Sequence, residues 1–219
     1  FPGSGTAGSN EIINCEIHDN GTSFHSPSGP GPHGLYIATS NNLIEHCRIY
    51  GNIQHGIQFY SDGSGSGDPA NSIFRYNVVH NNGVEPTLYD VAVVVYGNDP
   101  LVYNNITYGE RDEGIYIGAG TGGKFYHNSL FDTGSGITIG GSSRLVRNNC
   151  LYNVNTITGS GASNNNQATS DPYVASGSAN FHLAGDDNNG ADLNADVTDD
   201  FDGVARPDVP DRGAYEFVP

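Results

Sequence analysis

The chain has 219 residues, enough for one domain with a sizeable core, and it carries 8 Lys and Arg against 24 Asp and Glu, a net charge of -16. Such an acidic chain lacks the basic surface that nucleic acid phosphates and anionic membranes require, and no run of about 18 apolar residues is present to span a bilayer. The 31 Gly and the charged fraction of 15% are typical of a turn-rich all-β protein.

The N-terminus gives an expectation about processing. The sequence begins at Phe1 with neither Met nor a signal peptide, and its first predicted strand begins at about Glu11. We interpret the chain as a processed piece of a secreted protein. Its N-terminal cap either was removed or consists only of residues 1–10.

One short motif returns six times and marks a repeat. A large apolar residue is followed three positions later by Asn or Cys and two positions after that by another mostly apolar residue, as in Phe74, Asn77 and Val79. The marked positions lie 32, 30, 28, 23 and 20 residues apart, and they are Cys15, Cys47, Asn77, Asn105, Asn128 and Asn148. Self-similarity at this period is typical of proteins built from stacked repeats.

The apolar pattern within each repeat alternates, which indicates short strands rather than helices. Residues 114–118 and 136–140 alternate apolar and polar side chains between two Gly. One repeat cannot bury its own apolar face, whereas stacked repeats can. We therefore predict an all-β fold, a single-stranded parallel β-helix of about six coils spaced ~4.8 Å apart.

The Asn positions are expected at a turn, where Asn tolerates the left-handed conformation and its amide bonds the amide of the next coil. Cys15 and Cys47 take the same position in the first two coils. Their Cα atoms are therefore expected about one strand spacing apart, within the range of a disulfide. A disulfide and a pair of buried free thiols both remain open, and Cys150 is expected to be a small core residue.

Four tyrosines are predicted to share one outer face. Because Ile115 and Ile117 point inward, Tyr116 points outward. One outward column is Tyr36, Gln58, Val94, Tyr116 and Thr138, and the next is Ala38, Tyr60, Tyr96, Gly118 and Gly140. Tyr offers a flat apolar ring and a hydroxyl to a sugar, although it is also simply a good strand former. We predict a substrate-binding surface made of Tyr36, Gln58, Tyr60, Tyr96 and Tyr116.

Candidate catalytic residues lie in the turns that lead into these strands. Insertions at 21–33, 61–71 and 83–90 wall this region, so a site is expected toward the N-terminal half. Neighbouring charges move the pKa of His across neutral pH, which suits general acid–base chemistry, whereas many turn histidines only bond to backbone. The candidates are His33, His55, Asp90, Asp112 and Glu113.

The tail differs in character from the coils. The polar segment 161–167 is predicted to be a linker, so the coils would occupy 1–160 and the linker with a cap packed on the last coil 161–219. The tail contains Asp202-Gly203, Arg206-Pro207 and, near its end, Gly213-Ala214-Tyr215-Glu216. Together with the coils, it resembles the right-handed parallel β-helix proteins of the pectate-lyase-like superfamily, a carbohydrate-binding and sugar-hydrolase group of secreted bacterial proteins. This resemblance implies a right-handed helix and a secreted or cell-surface location, but it leaves the chemistry open.

Two further predictions concern ions. Similar lyases need a base such as Lys or Arg and a cation that neutralises the uronate carboxylate. Lys124 and Arg144 are expected in one column on adjacent coils, where they either resemble the basic residues of such a lyase or are solvated surface. Calcium is a possible cofactor of the acidic segment 186–202, because part of it is spaced like the start of a calcium loop. Val197 and Gly203 depart from that pattern, and an acidic turn without metal is the alternative. The predicted ligands are Asp192, Asn194, Asp196 and Asp200.

Two functional hypotheses follow. The first is an extracellular carbohydrate-active protein that binds an acidic polysaccharide through the tyrosine face and, if enzymatic, cleaves it by β-elimination as a polysaccharide lyase. The second is a non-catalytic structural or adhesive module of a cell surface or filament, with end-to-end self-association of the coils. Neither nucleic acid nor membrane insertion is expected.

Overall fold

The computed structural model describes residues 9–21, 32–61 and 69–219. Its backbone winds through successive coils, and one coil supplies a short strand to each of three sheets. The strands in chain order are β1 (Glu11–Ile13), β2 (Glu16–His18), β3 (Leu35–Ile37), β4 (Leu43–Glu45), β5 (Arg48–Tyr50), β6 (Ile57–Phe59), β7 (Ile73–Arg75), β8 (Val78–His80), β9 (Val91–Val95), β10 (Leu101–Tyr103), β11 (Ile106–Tyr108), β12 (Glu113–Ile117), β13 (Lys124–Tyr126), β14 (Ser129–Phe131), β15 (Ser135–Ile139), β16 (Leu145–Arg147), β17 (Cys150–Tyr152), β18 (Ile157–Thr158), β19 (Ala162–Ser163), β20 (Asn166–Ala168), β21 (Tyr173–Ala175) and β22 (Asn180–Leu183), with a 3-10 turn at Ser176–Ser178.

Three parallel sheets run the length of the molecule, and strands one coil apart are neighbours in each. Sheet A contains β1, β4, β7, β10, β13, β16 and β19; sheet B contains β2, β5, β8, β11, β14, β17 and β20; sheet C contains β3, β6, β9, β12, β15 and β18. Only β21 and β22 pair antiparallel among the described strands. The predicted all-β parallel β-helix is therefore confirmed.

Inward side chains of all three sheets fill one continuous core. In sheet A the inward residues of the five middle coils are fully buried, and they are Ile44, Phe74, Val102, Phe125 and Val146. The Gly at the second position of β12 and of β15 is required by the next coil: a Cβ at Gly114 would lie 2.5 Å from Leu130 Cδ2, and one at Gly136 would lie 2.4 Å from Leu151 Cδ2. The Gly-led strands seen in the sequence thus result from close packing between coils.

A ladder of buried amides connects the coils at the corner between sheets A and B. Asn77 Nδ2 donates to Asn105 Oδ1 at 3.0 Å, and Asn105 Nδ2 donates to Asn128 Oδ1 at 3.0 Å. The Cys47 N–H begins the ladder by donating to Asn77 Oδ1 at 2.8 Å. The predicted ladder is therefore correct from Cys47 to Asn128.

The predicted sixth position of the ladder is wrong by one residue. Asn128 Nδ2 donates to Asn149 Oδ1 at 2.9 Å, and Asn149 continues to Asn165. Asn148 takes the preceding left-handed position, with φ 55°, and bonds His127. Two adjacent Asn fit the motif equally well in sequence, and burial of Val146 rather than Leu145 decides between them. As a consequence, Cys150 faces outward under the tail instead of into the helix core.

The first two ladder positions hold free thiols. Cys15 is exposed and Cys47 is buried, and neither is part of a disulfide. Burial raises the pKa of the Cys47 thiol; a hydrogen bond with the Cys15 backbone acts against this rise, whereas the Cys15 side chain adds to it. The two residues lie on adjacent coils as predicted, because Arg48 N donates to Cys15 O at 2.9 Å.

A second ladder, which we did not predict, occupies the corner between sheets B and C. Asn20 Nδ2 donates to Asn52 Oδ1, Asn52 Nδ2 to Asn82 Oδ1 and Asn82 Nδ2 to Glu110 Oε1, at distances of 2.8, 2.8 and 3.0 Å. Glu110 ends the series, and burial raises its pKa to about 8. The sequence signal was present, since each member follows its first-ladder counterpart by five residues.

The predicted linker at 161–167 belongs to a seventh coil. β19 pairs with β16 and β20 pairs with β17 in parallel register, and Asn165 ends the first ladder. Short polar strands of this kind carry little alternation, which explains why the segment resembles a linker in sequence.

The tail lies along the flank of the helix and does not close its last coil. It covers the outer faces of sheets A and B, where Tyr173, Phe181 and Tyr215 form one apolar cluster and Leu193 and Val197 join another. Within the tail, Arg206 pairs with Glu216. Residues of the seventh coil such as Ala162 and Ser163 remain exposed, and the tail reaches that coil through Arg212, whose Nη1 donates to Asn165 O at 3.2 Å.

The predicted Lys124–Arg144 pair is absent. Lys124 aligns with Leu145 and pairs with Asp196 of the tail. Arg144 is 3% exposed, and its guanidinium donates to turn carbonyls that include Gly97 O at 3.0 Å and Gly122 O at 2.7 Å. Arg144 therefore ties the glycine-rich turns of three coils together. Separately, the described part of the chain has no helix with the length and apolarity needed to cross a membrane.

Candidate functional site

The outer face of sheet C has the predicted arrangement. Strand pairing aligns Tyr36 with Gln58, Gln58 with Val94, Val94 with Tyr116 and Tyr116 with Thr138. The bonds from Tyr60 N to Ile37 O and from Tyr96 N to Phe59 O continue the next column in register. The five predicted binding residues therefore share one face.

The four tyrosines of this face form two pairs. The Tyr36 and Tyr60 rings stack with centroids 5.2 Å apart, and the Tyr96 and Tyr116 rings are tilted with centroids 6.1 Å apart. Val94 lies between the pairs and is 3% exposed. The Tyr96 ring lies close over Gly118, where a Cβ would be 2.3 Å from Tyr96 Cε1. Gly118 thus allows this ring to lie against the sheet.

The two candidate histidines lie in contact on adjacent coils at the entrance to sheet C. Their ring centroids are 4.7 Å apart with planes 6° apart, and His33 also stacks on Tyr36 at 5.8 Å. His33 Nδ1 accepts the His55 N–H at 3.3 Å, and His55 Nδ1 accepts the Val91 N–H at 3.1 Å. Both neutral rings therefore carry their proton on Nε2.

The same environment keeps both histidines uncharged. Burial lowers the pKa of His33 to about 4. Burial, followed by repulsion from His33, lowers the pKa of His55 to about 3. Neither ring has a free basic nitrogen near neutral pH, so neither is suited to accept a proton.

Loop 83–90 forms a wall beside the histidines. Gly83 N donates to Gln54 O at 2.8 Å, and Val84 N donates to Asn52 O at 3.2 Å, which attaches the loop to the coil before it. The Tyr89 ring meets His55 edge to face, with centroids 6.5 Å apart, and is 52% exposed. Burial and a hydrogen bond to Glu113 raise the pKa of Tyr89. Sequence reasoning missed Tyr89 because it lies in a loop and outside the strand alternation.

Asp90, Arg111 and Asp112 clamp this loop. Arg111 pairs with both carboxylates, and its side chain also reaches the carbonyls of the loop, among them Leu88 O. The Arg111 N–H donates to Asp90 Oδ2 at 3.0 Å, and the Asp90 N–H donates to Asp112 Oδ2 at 2.9 Å. The Asp90 side chain has no exposed surface. This constellation therefore holds the loop in place.

The two clamp carboxyls have pKa shifts of opposite direction. Burial raises the pKa of Asp90, to which the bond with Asp112 adds. Burial also acts to raise the pKa of Asp112, but hydrogen bonds from Asp90 and Arg111 outweigh it and the pKa is lowered. Asp112 is therefore the carboxyl that carries the negative charge at the surface.

Glu113 is the fifth predicted catalytic residue, and it is 6% exposed. The Thr138 hydroxyl donates to its Oε1. The five predicted residues thus come together over successive coils, but their polar atoms bond mostly to one another and to backbone.

The rings combine into one array at the N-terminal end of sheet C. We call it the aromatic array; it runs through Tyr60, Tyr36, His33, His55 and Tyr89. Three of its members, Tyr60, Tyr36 and His33, also line a cleft of about 1010 Å³. Much of the predicted insertions 21–33 and 61–71 lies outside the described residues, whereas 83–90 forms the wall described above.

The predicted calcium ligands do not fit a calcium site. Asp200 accepts the backbone N–H groups of Asp202, Val204 and Glu216, and Asp196 pairs with Lys124. Asp192 accepts the Asn194 N–H at 3.0 Å, as in a turn without metal. Within 9–21, 32–61 and 69–219, no three His, Cys, Asp or Glu residues are grouped to hold a metal ion. Calcium stays a prediction without support from this geometry.

Comparisons with known proteins agree with the fold. A family model described as a right-handed beta helix region matches residues 4–175. Among solved structures, the chain is similar to the crystal structure of pectate lyase Pel9A, with a TM-score of 0.70 and 13% identity over 95% of this chain and 59% of that chain. The chain thus spans about three-fifths of the length of that lyase, and the likeness is one of fold. No curated protein matches the sequence.

Proposed function

Because the chain belongs to the right-handed β-helix family, whose stacked coils present long regular faces, we propose that it binds a polysaccharide on the outer face of sheet C. The observation that carries this proposal is the aromatic array. Tyr36 and Tyr89 are 46% and 52% exposed, and the rings between them are stacked in fixed positions. Exposed rings held in this way suit sugar rings, which pack on flat apolar surface and bond to hydroxyls.

The rigidity of the array favours binding. Ordering a flexible side chain costs about 0.5–1.5 kcal/mol on association, and the stacking of Tyr36 on His33 and Tyr60 removes much of that cost in advance. Tyr89 is held by its contact with His55 and by the clamp beneath its loop. Binding surfaces that are preorganised in this way gain affinity without additional contacts.

Cleavage by β-elimination has weaker support than binding. Such a reaction needs a base that abstracts a proton and a positive group that stabilises the resulting anion. The histidine Nδ1 atoms accept backbone N–H groups, and Arg111 pairs with Asp90 and Asp112. We therefore propose binding without assigning a reaction.

The second candidate function is a structural or adhesive module that binds no glycan. The internal bonding of Asp90, Arg111 and Asp112 favours it, because the same groups serve to fix a loop. For either function we propose a secreted or cell-surface location, in keeping with the acidic surface of the chain.

Tyrosine fluorescence titration against a panel of polysaccharides tests the proposal. We expect saturable quenching by at least one glycan, and we expect Tyr36→Ala and Tyr89→Ala to weaken it about tenfold each, as loss of an aromatic contact does. Tyr50→Ala, a half-buried ring of sheet B, is the matched control and leaves the affinity unchanged. A flat titration with every glycan refutes binding and favours the structural module.

A further inference from the structure

The charges around the proposed site give information about its ligand. The eight Lys and Arg of the chain are Arg48, Arg75, Arg111, Lys124, Arg144, Arg147, Arg206 and Arg212. None lies in either outward column of sheet C, and all eight are within the described residues. The face that carries the tyrosines is therefore without a cation of its own.

Arg111 is the cation at the edge of this face, and its guanidinium is already bonded. Nη2 pairs with Asp90 and Asp112 and donates to Leu88 O. Nη1 donates to Gly83 O at 3.5 Å and to Glu85 O at 3.4 Å. A ligand carboxylate that recruited Arg111 would have to separate it from Asp90, whose carboxyl is fully buried. Leaving this buried carboxyl without its partner is unfavourable whether it keeps its charge or takes up a proton.

The remaining cations serve other parts of the molecule. Four form ion pairs, namely Arg75 with Glu45, Lys124 with Asp196, Arg206 with Glu216 and Arg212 with Asp187. Arg144 is enclosed by carbonyls of the turns before sheet A, and Arg147 lies on β16 of that sheet. Arg48 lies on sheet B, where its Nε donates to His80. None of these side chains belongs to sheet C.

The other titratable groups at the site are neutral or negative. His33 and His55 are held uncharged, and the Asp112 carboxylate is 31% exposed beside them. Glu11 lines the same cleft as Tyr36 and His33. With a net charge of -16 for the chain, a polyanion that approaches this face meets repulsion.

We propose that the glycan bound on sheet C is uncharged, a polysaccharide whose sugars carry hydroxyl groups and no carboxylates. This inference rests on the proposed function, and it replaces the acidic polysaccharide expected from the sequence. The polar groups of the face are suited to such a ligand, since the Tyr hydroxyls and the Gln58 amide are neutral donors and acceptors. Recognition by rings and neutral hydrogen-bonding groups needs no cation.

The test compares matched glycans that differ only in charge. Polygalacturonate is paired with its fully methyl-esterified form, and other uronate polymers are paired with their carboxyl-reduced forms. Isothermal titration calorimetry is run at ~50 mM salt, where charges are weakly screened, and at ~500 mM salt, where they are strongly screened. Where a pair of glycans binds, we expect the uncharged member to bind at least about tenfold tighter than the uronate at low salt. Added salt is expected to reduce this difference in affinity.

A variant that supplies the missing cation gives a second test. Gln58→Arg places a guanidinium in the middle of the face and is expected to raise the affinity for the uronate member relative to that for the uncharged member by about tenfold. Gln167→Arg, the same substitution at an exposed position of sheet B, is the matched control and leaves both affinities unchanged.

The outcomes separate the two proposals. Equal or tighter binding of the uronate by the unmodified protein, or uronate binding that weakens with added salt, overturns the inference and leaves the glycan site in place. If no member of any pair binds, the proposed function fails and this inference fails with it.

Discussion

His33 and His55 lie face to face on adjacent coils, with ring centroids 4.7 Å apart and planes 6° apart. Each Nδ1 accepts a backbone N–H group that stands at the next turn into sheet C. The winding of the helix thereby fixes the rings, their tautomer and the surface that they share with Tyr36 and Tyr89. The aromatic array is thus built from the same contacts that stack the coils.

The buried histidines predict a loss of stability in acid. The pKa of His55 is 6.5 in the unfolded chain and about 3 in the fold, so the unfolded chain binds the additional proton between those values. Stability from this group is therefore complete above pH 6.5 and declines as the pH falls toward 3, by up to about 1.4 kcal/mol per pH unit. The lowered pKa of His33 changes stability in the same direction, whereas the Asp112 carboxylate acts to raise the pKa of His55 and so reduces the effect.

Urea unfolding of the protein and of His55→Gln at several pH values measures this effect. The free energy of unfolding of the unmodified protein is expected to fall relative to the variant as the pH is lowered. A constant difference between the two proteins from pH 7 to pH 4 would show that His55 is not held uncharged.

Glu110 predicts the opposite trend. Its pKa rises from 4.5 in the unfolded chain to about 8 in the fold, chiefly through burial and also through repulsion from Asp90, while the Asn82 amide and Arg111 oppose the shift. The fold therefore retains the proton longer than the unfolded chain, and stability is lost as the pH rises from about 4.5 to about 8. Glu110→Gln removes the titrating group and keeps an oxygen that accepts from Asn82. The free energy of unfolding of this variant, relative to that of the unmodified protein, is therefore expected to increase over that pH range by several kcal/mol at most.

Thermal unfolding of both proteins from pH 5 to pH 8.5 tests this expectation. Glu85→Gln, a substitution in the exposed loop, is the matched control and is expected to show no such trend. If the stability of Glu110→Gln relative to the unmodified protein is the same at pH 5 and at pH 8.5, the Glu110 carboxyl ionises as readily in the fold as in the unfolded chain, and the prediction is wrong.

The first ladder predicts that its central amides stabilise the helix strongly. Asn105 Oδ1 accepts the backbone and side-chain N–H groups of Asn77, and its Nδ2 donates to Phe74 O and Tyr103 O. Asn105→Ala leaves these buried groups without partners, which is expected to cost about 3 kcal/mol or more. The control is Asn153→Gly at an exposed turn, where φ is 51° and Gly adopts this conformation without strain; a single bond to Asp132 is lost, and the expected cost is below about 1 kcal/mol. Equal costs in urea unfolding would contradict a structural role for the ladder.

The clamp predicts that Arg111 positions Tyr89. Arg111→Ala leaves Asp90 buried without its cation and frees the loop carbonyls, which is expected to cost about 3 kcal/mol and to speed amide hydrogen exchange in residues 83–90. Arg48→Ala on sheet B is the control and should leave exchange in that loop unchanged. Asp90→Asn combined with Arg111→Ala removes the unpaired charge, so stability recovers while exchange in the loop stays fast. Slow exchange in the double variant would show that Arg111 does not hold the loop.

The regular part of the structure follows from the sequence, because a repeat fixes its own register. The spacing from Cys47 to Asn128 predicts the ladder, and alternation around Tyr116 predicts the outer columns of sheet C, since both depend on local periodicity. The predicted ladder position is wrong at Asn148, because Asn149 fits the same sequence pattern. The two differ only in which residue three positions earlier is buried in the core, and that residue is Val146.

The irregular part does not follow from the sequence in the same way. Tyr89 reaches His55 through a loop whose path depends on the carbonyl contacts of Arg111. The tail has no repeat to show where it lies, and its position along sheets A and B is set by apolar contacts such as those of Tyr173 and Phe181. Both features rest on contacts between residues far apart in sequence.

The most direct test of this account is an NMR titration that follows the ring ¹³C–¹H signals of the tyrosines, assigned with single Tyr→Phe variants, while a binding glycan is added. Binding on sheet C is expected to shift the Tyr36, Tyr60 and Tyr89 signals together, with saturation at one affinity, whereas those of Tyr76 and Tyr103, which pack against the tail, stay in place. Shifts confined to Tyr76 and Tyr103, with the aromatic array unaffected, would contradict it.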